Sequence, residues 1–180
     1  MHNLEIVIDR QVTRVEYRRL ENAARKASIR LGPLIGYVLQ DIHIRTTDHG
    51  EEGNLLRSRV GESINTTRYF QLQHQDRQAL DVPENLKVVT LTDKPLVSIR
   101  KSSLVARQNM FGESIKEYGE AIVSSNRYSR ELVGFGSRKK IEIGVAHSAI
   151  HESGHLLGVV PPDASRATPG QHCANKCIMR

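Results

Sequence analysis

The segment His151-Glu152-Ser153-Gly154-His155 combines the residue types and the spacing with the clearest chemistry in this sequence. Residues four apart share one face of an α-helix, so both imidazoles can reach one metal ion. Glu152 is turned about 100° from His151 on that helix, where its carboxylate can take a proton from water without being a metal ligand. The H-E-x-x-H pattern therefore predicts a catalytic zinc site, which needs three protein ligands and one open position.

The third zinc ligand has to come from outside this pentapeptide. His147 extends the histidine series, but a straight helix puts it about 12 Å from His155, too far apart for one zinc ion to bind both. We therefore interpret His147 as a residue of the core or the surroundings of the site. No Glu follows Glu152, and no Cys lies in the first 172 residues. The remaining candidates all lie downstream and are Asp163, His172, Cys173 and Cys177.

Gly158 lies three residues after His155, where a helix can end in a left-handed turn. Such a turn would direct the chain back towards the metal. The position of this glycine therefore favours a third ligand that comes from the downstream segment.

The elements that must position these residues alternate between strand and helix patterns. The predicted strands cover 4–8, 34–46, 86–92, 102–111 and 121–124. An amphipathic helix is predicted over about 11–30, and the active-site helix over about 139–158, since Pro161-Pro162 forbids its continuation. We interpret 48–65 as a loop, leave 66–80 ambiguous between helix and strand, and find no regular pattern in 159–180.

Length and composition predict one α/β domain over 1–180, with a twisted mixed sheet, packed helices and a short irregular C-terminal subdomain. The chain has 180 residues, of which 38% are hydrophobic and 26% charged, as in ordinary soluble domains. No apolar run approaches the roughly 18 residues that span a bilayer, and the first residues lack the order of a signal peptide. We therefore expect a cytoplasmic protein without a membrane span, and a monomer.

The net charge of +6 makes an anionic partner such as nucleic acid worth considering. A solvated basic surface is the more common meaning of such a charge. The alternative functions are thus a zinc-containing, nucleic-acid-associated protein and a non-catalytic zinc-binding interaction module.

The pattern His151-Glu152-x-x-His155-x-x-Gly158 resembles the metzincin zinc peptidases. The later run His172-Cys173, then Cys177-x-Met179, is similar to the archaemetzincins, in which His-Cys and Cys-x-Met follow in the same order. Upstream, the resemblance extends to further segments of that family, namely Leu91-Thr92-Asp93, Asn109 to Glu113, Ala121 to Ser124 and Arg127.

The resemblance implies a metzincin-like domain that hydrolyses peptide bonds with one zinc ion. It implies His151, His155 and His172 as zinc ligands, Glu152 as general base, and Met179 in a Met-turn beneath the zinc. An extended peptide substrate is expected to add to an edge strand. The residues expected to form that edge are Gln108, Asn109, Met110, Phe111 and Gly112.

Two departures from the family pattern affect the downstream residues. Thirteen residues, 159–171, separate Gly158 from His172 where the family has two, so Asp163, which lies nearer, is the alternative third ligand. The family also carries a further Cys-x-x-Cys that this sequence lacks. Cys173 and Cys177 are therefore left as a candidate second metal site or a local disulfide.

Overall fold

A computed structural model describes residues 1–98, 107–108, 110–131 and 137–159. Its strands, in chain order, are β1 (His2–Ile8), β2 (Leu39–Thr46), β3 (Arg59–Val60), β4 (Ser63–Asn65), β5 (Leu86–Thr92), β6 (Leu96–Ser98), β7 (Arg107–Gln108), β8 (Gly112–Ile115) and β9 (Glu120–Ser124). Its helices are α1 (Arg14–Leu31), α2 (His49–Arg57), α3 (Thr66–Ala79), α4 (Asn126–Glu131) and α5 (Ser137–Leu157).

A five-stranded main sheet has the order β2-β1-β5-β9-β8 in the described part of the chain. The first four strands are parallel, and β8 pairs antiparallel with β9 at the edge. The inner strands β1, β5 and β9 are rich in Val, Ile and Leu, as expected of parallel strands covered on both faces. A smaller sheet has the order β3-β4-β6-β7.

Helices α1 and α5 pack side by side on one face of the main sheet and enclose the larger core cluster. Alanines 23, 24 and 27 of α1 are fully buried there and let the helix approach its neighbours closely. Thr13 caps α1 by accepting a hydrogen bond from the Glu16 backbone N–H. The opposite face is covered by a second cluster that includes Leu55, Tyr69, Phe70 and Ile122.

The predicted fold class, an α/β domain with a twisted mixed sheet and packed helices, is confirmed. The strand at 86–92 and the helix at 139–158 are found within two residues of their predicted bounds. The irregular subdomain predicted for 159–180 lies outside the described residues apart from Val159.

Two sequence predictions were wrong, and one segment left ambiguous is a helix. Residues 48–65 are not one loop, because Asp48 and Glu51 form a capping box that starts α2, and a short hairpin follows. Residues 66–80, left ambiguous, form α3 with Asn65 as its N-cap. The strand predicted over 34–46 starts only at Leu39, because a 3-10 turn and Gly36, at φ +87°, precede it.

No helix in the described ranges combines the length and the apolar character that a membrane crossing needs.

Candidate active site

Helix α5 carries the H-E-x-x-H residues and is held against α4 by a close aromatic contact. The Tyr128 hydroxyl lies 2.8 Å from the Ser148 hydroxyl. The Tyr128 ring covers Gly144, where a Cβ atom would lie only 2.5 Å from the ring. Phe111 also packs against Tyr128, with ring centroids 4.4 Å apart. The absence of a side chain at Gly144 therefore sets how closely α4 and the site helix pack.

The imidazoles of His151 and His155 converge on one point near the C-terminal end of α5. Their Nε2 atoms lie 3.0 Å apart, and the two rings are perpendicular. Two nitrogen ligands of a tetrahedral zinc ion, each about 2.0–2.1 Å from the metal, are about 3.3 Å apart. His151 is buried and His155 is partly exposed. The two Nε2 atoms are therefore at hydrogen-bond distance from each other, and this distance is close to that between two ligands of one zinc ion.

A complete ligand set is not present in the described part of the chain. Within residues 1–98, 107–108, 110–131 and 137–159, no group of three or more His, Cys, Asp or Glu side chains is arranged to hold a metal ion. His147, one turn before His151, is partly buried. The two histidines of the motif could thus supply two of the three ligands that a catalytic zinc needs.

Glu152 lies between α5 and the edge strand β8. Its side chain is only 7% exposed. A Cβ atom on Gly112 would lie 3.2 Å from the Glu152 Cγ and 3.1 Å from the Ile122 carbonyl oxygen. Gly112 therefore lets β8 approach the carboxylate closely enough to exclude water from one side of it.

Burial raises the pKa of Glu152 to about 7. A hydrogen bond from the Ser114 side chain opposes this shift by stabilising the carboxylate, and the negative charge of Glu113 on the same strand reinforces it. The Glu152 carboxyl can therefore exchange a proton near neutral pH, in the range that suits a general acid or base.

The end of α5 follows the prediction made for Gly158. This residue has φ +71°, its N–H donates to the His155 carbonyl, and the Val159 N–H donates to the Gly154 carbonyl. These two hydrogen bonds form a Schellman motif, in which glycine is strongly preferred because its φ is positive. Helix α5 therefore ends at Leu157, two residues after His155.

Several predicted site residues lie outside the described part of the chain. They are Asn109, Asp163, His172, Cys173, Cys177 and Met179. Of the predicted substrate edge, Gln108 belongs to β7 in the smaller sheet, whereas Gly112 begins β8 in the main sheet. Met110 and Phe111 connect the two and are partly buried.

Two residues of the Glu152 environment, Ser114 and Glu113, were not predicted from the sequence. Both lie on β8, whose four residues are too few and too polar to stand out as a strand. Their contact with Glu152 depends on the packing of β8 against α5, which spacing along the chain does not reveal.

The fold is similar to that of a solved protein of known metal dependence. The crystal structure of a zinc-dependent peptidase from Methanocorpusculum labreanum (strain Z) superposes with a TM-score of 0.56. The two chains are 16% identical, and the match covers 98% of this chain and 86% of the other. No protein-family model matches the sequence, and comparison with curated proteins gives no match. The chain thus has a fold similar to that of this solved protein.

Proposed function

We propose that this chain is a zinc-dependent peptidase of the metzincin type, most similar to the archaemetzincins. The observation that carries the proposal is the convergence of the His151 and His155 Nε2 atoms, 3.0 Å apart, beside a buried Glu152. The fold shared with a zinc-dependent peptidase supports it. In this proposal His151, His155 and His172 bind one zinc ion, with Asp163 as the alternative third ligand.

Glu152 is the general base of the proposed reaction. A bound zinc ion supplies Lewis acidity, which makes water a nucleophile near neutral pH and stabilises negative charge on a carbonyl oxygen. The Glu152 carboxylate takes the proton of the attacking water and then gives it to the nitrogen of the leaving amine. β8 keeps bulk water from one side of the carboxyl group, and the Ser114 side chain donates a hydrogen bond to its ionised form.

The outer edge of β8 is the proposed binding place for an extended peptide substrate. In the described part of the chain, β8 pairs with β9 only, so its other side has backbone groups that can hydrogen-bond a peptide strand. The edge predicted from sequence, 108–112, overlaps this strand at Gly112. A peptide on β8 would pass the carboxylate of Glu152, since Gly112 and Ser114 both neighbour it.

The downstream residues complete the proposal. Met179 would form the Met-turn beneath the zinc ion, and Cys173 and Cys177 would form a second metal site or a disulfide. These assignments are supported by the similarity of the H-C-x-x-x-C-x-M segment to the archaemetzincins.

A matched pair of Glu→Gln variants on the same helix tests the role of Glu152. Glu152→Gln should keep bound zinc and lose peptide hydrolysis by about 10²-fold or more, because only the proton acceptor is removed. Glu142→Gln is the control: Glu142 is equally buried but pairs with Lys26 on α1, 2.6 Å away, far from the motif in the helix. The assay combines metal analysis with cleavage of a peptide library. Full activity of Glu152→Gln would refute the proposed role, and so would loss of zinc in that variant.

A further inference from the structure

The excess positive charge of the chain comes from two segments, helix α1 and the start of α5. Helix α1 contains six basic and two acidic residues, and the first seven residues of α5 contain three basic and one acidic residue. Together these segments have a net charge of +6, which equals the formal net charge of the whole chain. The charges of all other residues therefore cancel, and the excess is concentrated in two helices that pack side by side.

The exposed cations of these two helices form one surface, which we name the basic face. An ion pair of 2.6 Å between Lys26 and Glu142 joins the two helices and places their basic residues next to one another. Arg18 and Arg25 are two helical turns apart and lie on the same side of α1. The members of the basic face are Arg14, Arg18, Arg25, Lys26 and Arg30 of α1, and Arg138, Lys139 and Lys140 of α5.

Most cations of the basic face have no acidic partner. Arg25 pairs with Glu21 at 2.9 Å, and the buried carboxylate of Glu142 pairs with both Lys26 and Arg138. Within the described residues no ion pair involves the other five cations, which are Arg14, Arg18, Arg30, Lys139 and Lys140. Neighbouring cations without carboxylates repel one another and produce a positive potential that attracts an anionic surface.

Aliphatic side chains are exposed among these cations. Val15 is 60% exposed and Ile29 is 75% exposed. Val15 lies three residues before Arg18, and Ile29 lies four residues after Arg25, so all four side chains are on the same side of α1. On α5, Ile143 is 45% exposed one turn after the cations. The basic face therefore presents both positive charge and apolar surface to the solvent.

This combination fits a lipid surface better than a nucleic acid. Phosphates of a nucleic acid would pair with the cations but would leave the aliphatic side chains in water. Single strands are bound with the help of aromatic side chains that stack on bases, and the exposed residues of α1 and of 137–143 include no aromatic residue. An anionic bilayer attracts the cations and also buries aliphatic side chains at the boundary between its headgroups and acyl chains.

We propose that the basic face binds the surface of a bilayer that contains anionic phospholipids. Helices α1 and α5 then lie along the bilayer surface, with Val15 and Ile29 inserted between the headgroups. His151 is buried and lies about 16 Å farther along α5 than Lys140, so the histidine pair is not part of the lipid-facing surface. The proposal does not depend on the proposed catalytic activity.

Co-sedimentation with lipid vesicles tests the role of the charges. The purified chain should bind vesicles of phosphatidylserine and phosphatidylcholine, and it should not bind vesicles of phosphatidylcholine alone. Arg18→Glu should weaken the binding by about tenfold or more, because each cation close to an anionic bilayer adds to the attraction. Arg68→Glu is the matched control and should leave the binding unchanged. Arg68 is also exposed, but it belongs to α3, which covers the opposite face of the main sheet.

A second matched pair tests the role of the aliphatic side chains. Ile29→Ser should weaken vesicle binding by about threefold or more, because less apolar surface leaves water on binding. Leu80→Ser is the control, since Leu80 is 76% exposed, as Ile29 is 75% exposed, and follows α3 on the opposite face of the sheet. Neither change alters the net charge. A specific effect of Ile29→Ser would therefore distinguish insertion into lipid from attraction between charges alone.

Several results would overturn the proposal. One is the absence of binding to the phosphatidylserine vesicles at physiological ionic strength. Others are equal effects of Arg18→Glu and Arg68→Glu, or equal effects of Ile29→Ser and Leu80→Ser, since either result would show that the basic face is not the surface in contact with the lipid. If the chain bound an RNA duplex but not the vesicles, the partner of this face would be a nucleic acid instead.

Discussion

Gly144→Ala should destabilise the protein, although alanine is the better helix former. Gly144 lies in the middle of α5 and has no positive φ that would require glycine. In an exposed helix the change would stabilise by about 1 kcal/mol. Here the added Cβ would lie 2.5 Å, 2.7 Å and 2.9 Å from three ring carbons of Tyr128, whereas carbon atoms in contact are about 3.5–4.0 Å apart.

The Tyr128 ring has little freedom to move away. Phe111 packs against it, and the Ser148 hydroxyl holds its phenolic oxygen. Overpacking of this kind costs about 1–3 kcal/mol. After subtraction of the helix gain, Gly144→Ala should lower the free energy of unfolding by up to about 2 kcal/mol.

A double-mutant cycle with Tyr128→Ala measures this contact. Without the ring, Gly144→Ala should raise the free energy of unfolding by up to about 1 kcal/mol. The two positions should therefore be coupled by about 1–3 kcal/mol. The measurement is urea unfolding followed by circular dichroism. Equal stabilisation by Gly144→Ala in the unmodified chain and in Tyr128→Ala would show that the Tyr128 ring does not pack on Gly144.

Two further predictions concern a buried carboxyl group and the downstream ligand. Burial raises the pKa of Glu120 to about 7 even though Arg77 lies 2.9 Å away. The folded state therefore binds this proton more tightly than the unfolded state, and stability should fall by about 3 kcal/mol as the pH rises from about 4.5 to 7. Glu120→Gln should remove this part of the pH dependence, and an unchanged slope would contradict it. Separately, His172→Ala should weaken zinc affinity by orders of magnitude and Asp163→Ala should leave it nearly unchanged; the reverse order in a zinc titration would make Asp163 the third ligand.

The proximity of the two imidazoles and the end of α5 follow from the local sequence. The pairing of His151 with His155 depends only on the pitch of a helix, and the end of α5 depends only on the positive φ that Gly158 adopts easily. Both features are determined within a few residues of the chain. Periodicity and glycine chemistry are sufficient to predict them.

The surroundings of the site could not be predicted in this way. Ser114 reaches Glu152 because β8, a strand of four residues, lies across α5. Helix α2 was missed because Gly50 and Gly53 suggested a loop, although the Asp48–Glu51 capping box was visible in the sequence. The contact between Ser114 and Glu152 is decided by tertiary packing. Helix α2 could have been predicted from its N-terminal capping box, which outweighs the two glycines.

Zinc affinity measured on neighbouring histidine variants tests whether His151 and His155 bind a metal ion. His147, His151 and His155 are spaced four residues apart on α5, and only the last two have converging imidazoles. The purified chain should bind one zinc ion per molecule in a competition titration with a chromophoric chelator. His151→Ala should weaken that affinity by more than about 100-fold, and His147→Ala, the matched control one turn away, should not change it. Equal zinc affinities of the unmodified chain and of His151→Ala would show that His151 is not a zinc ligand.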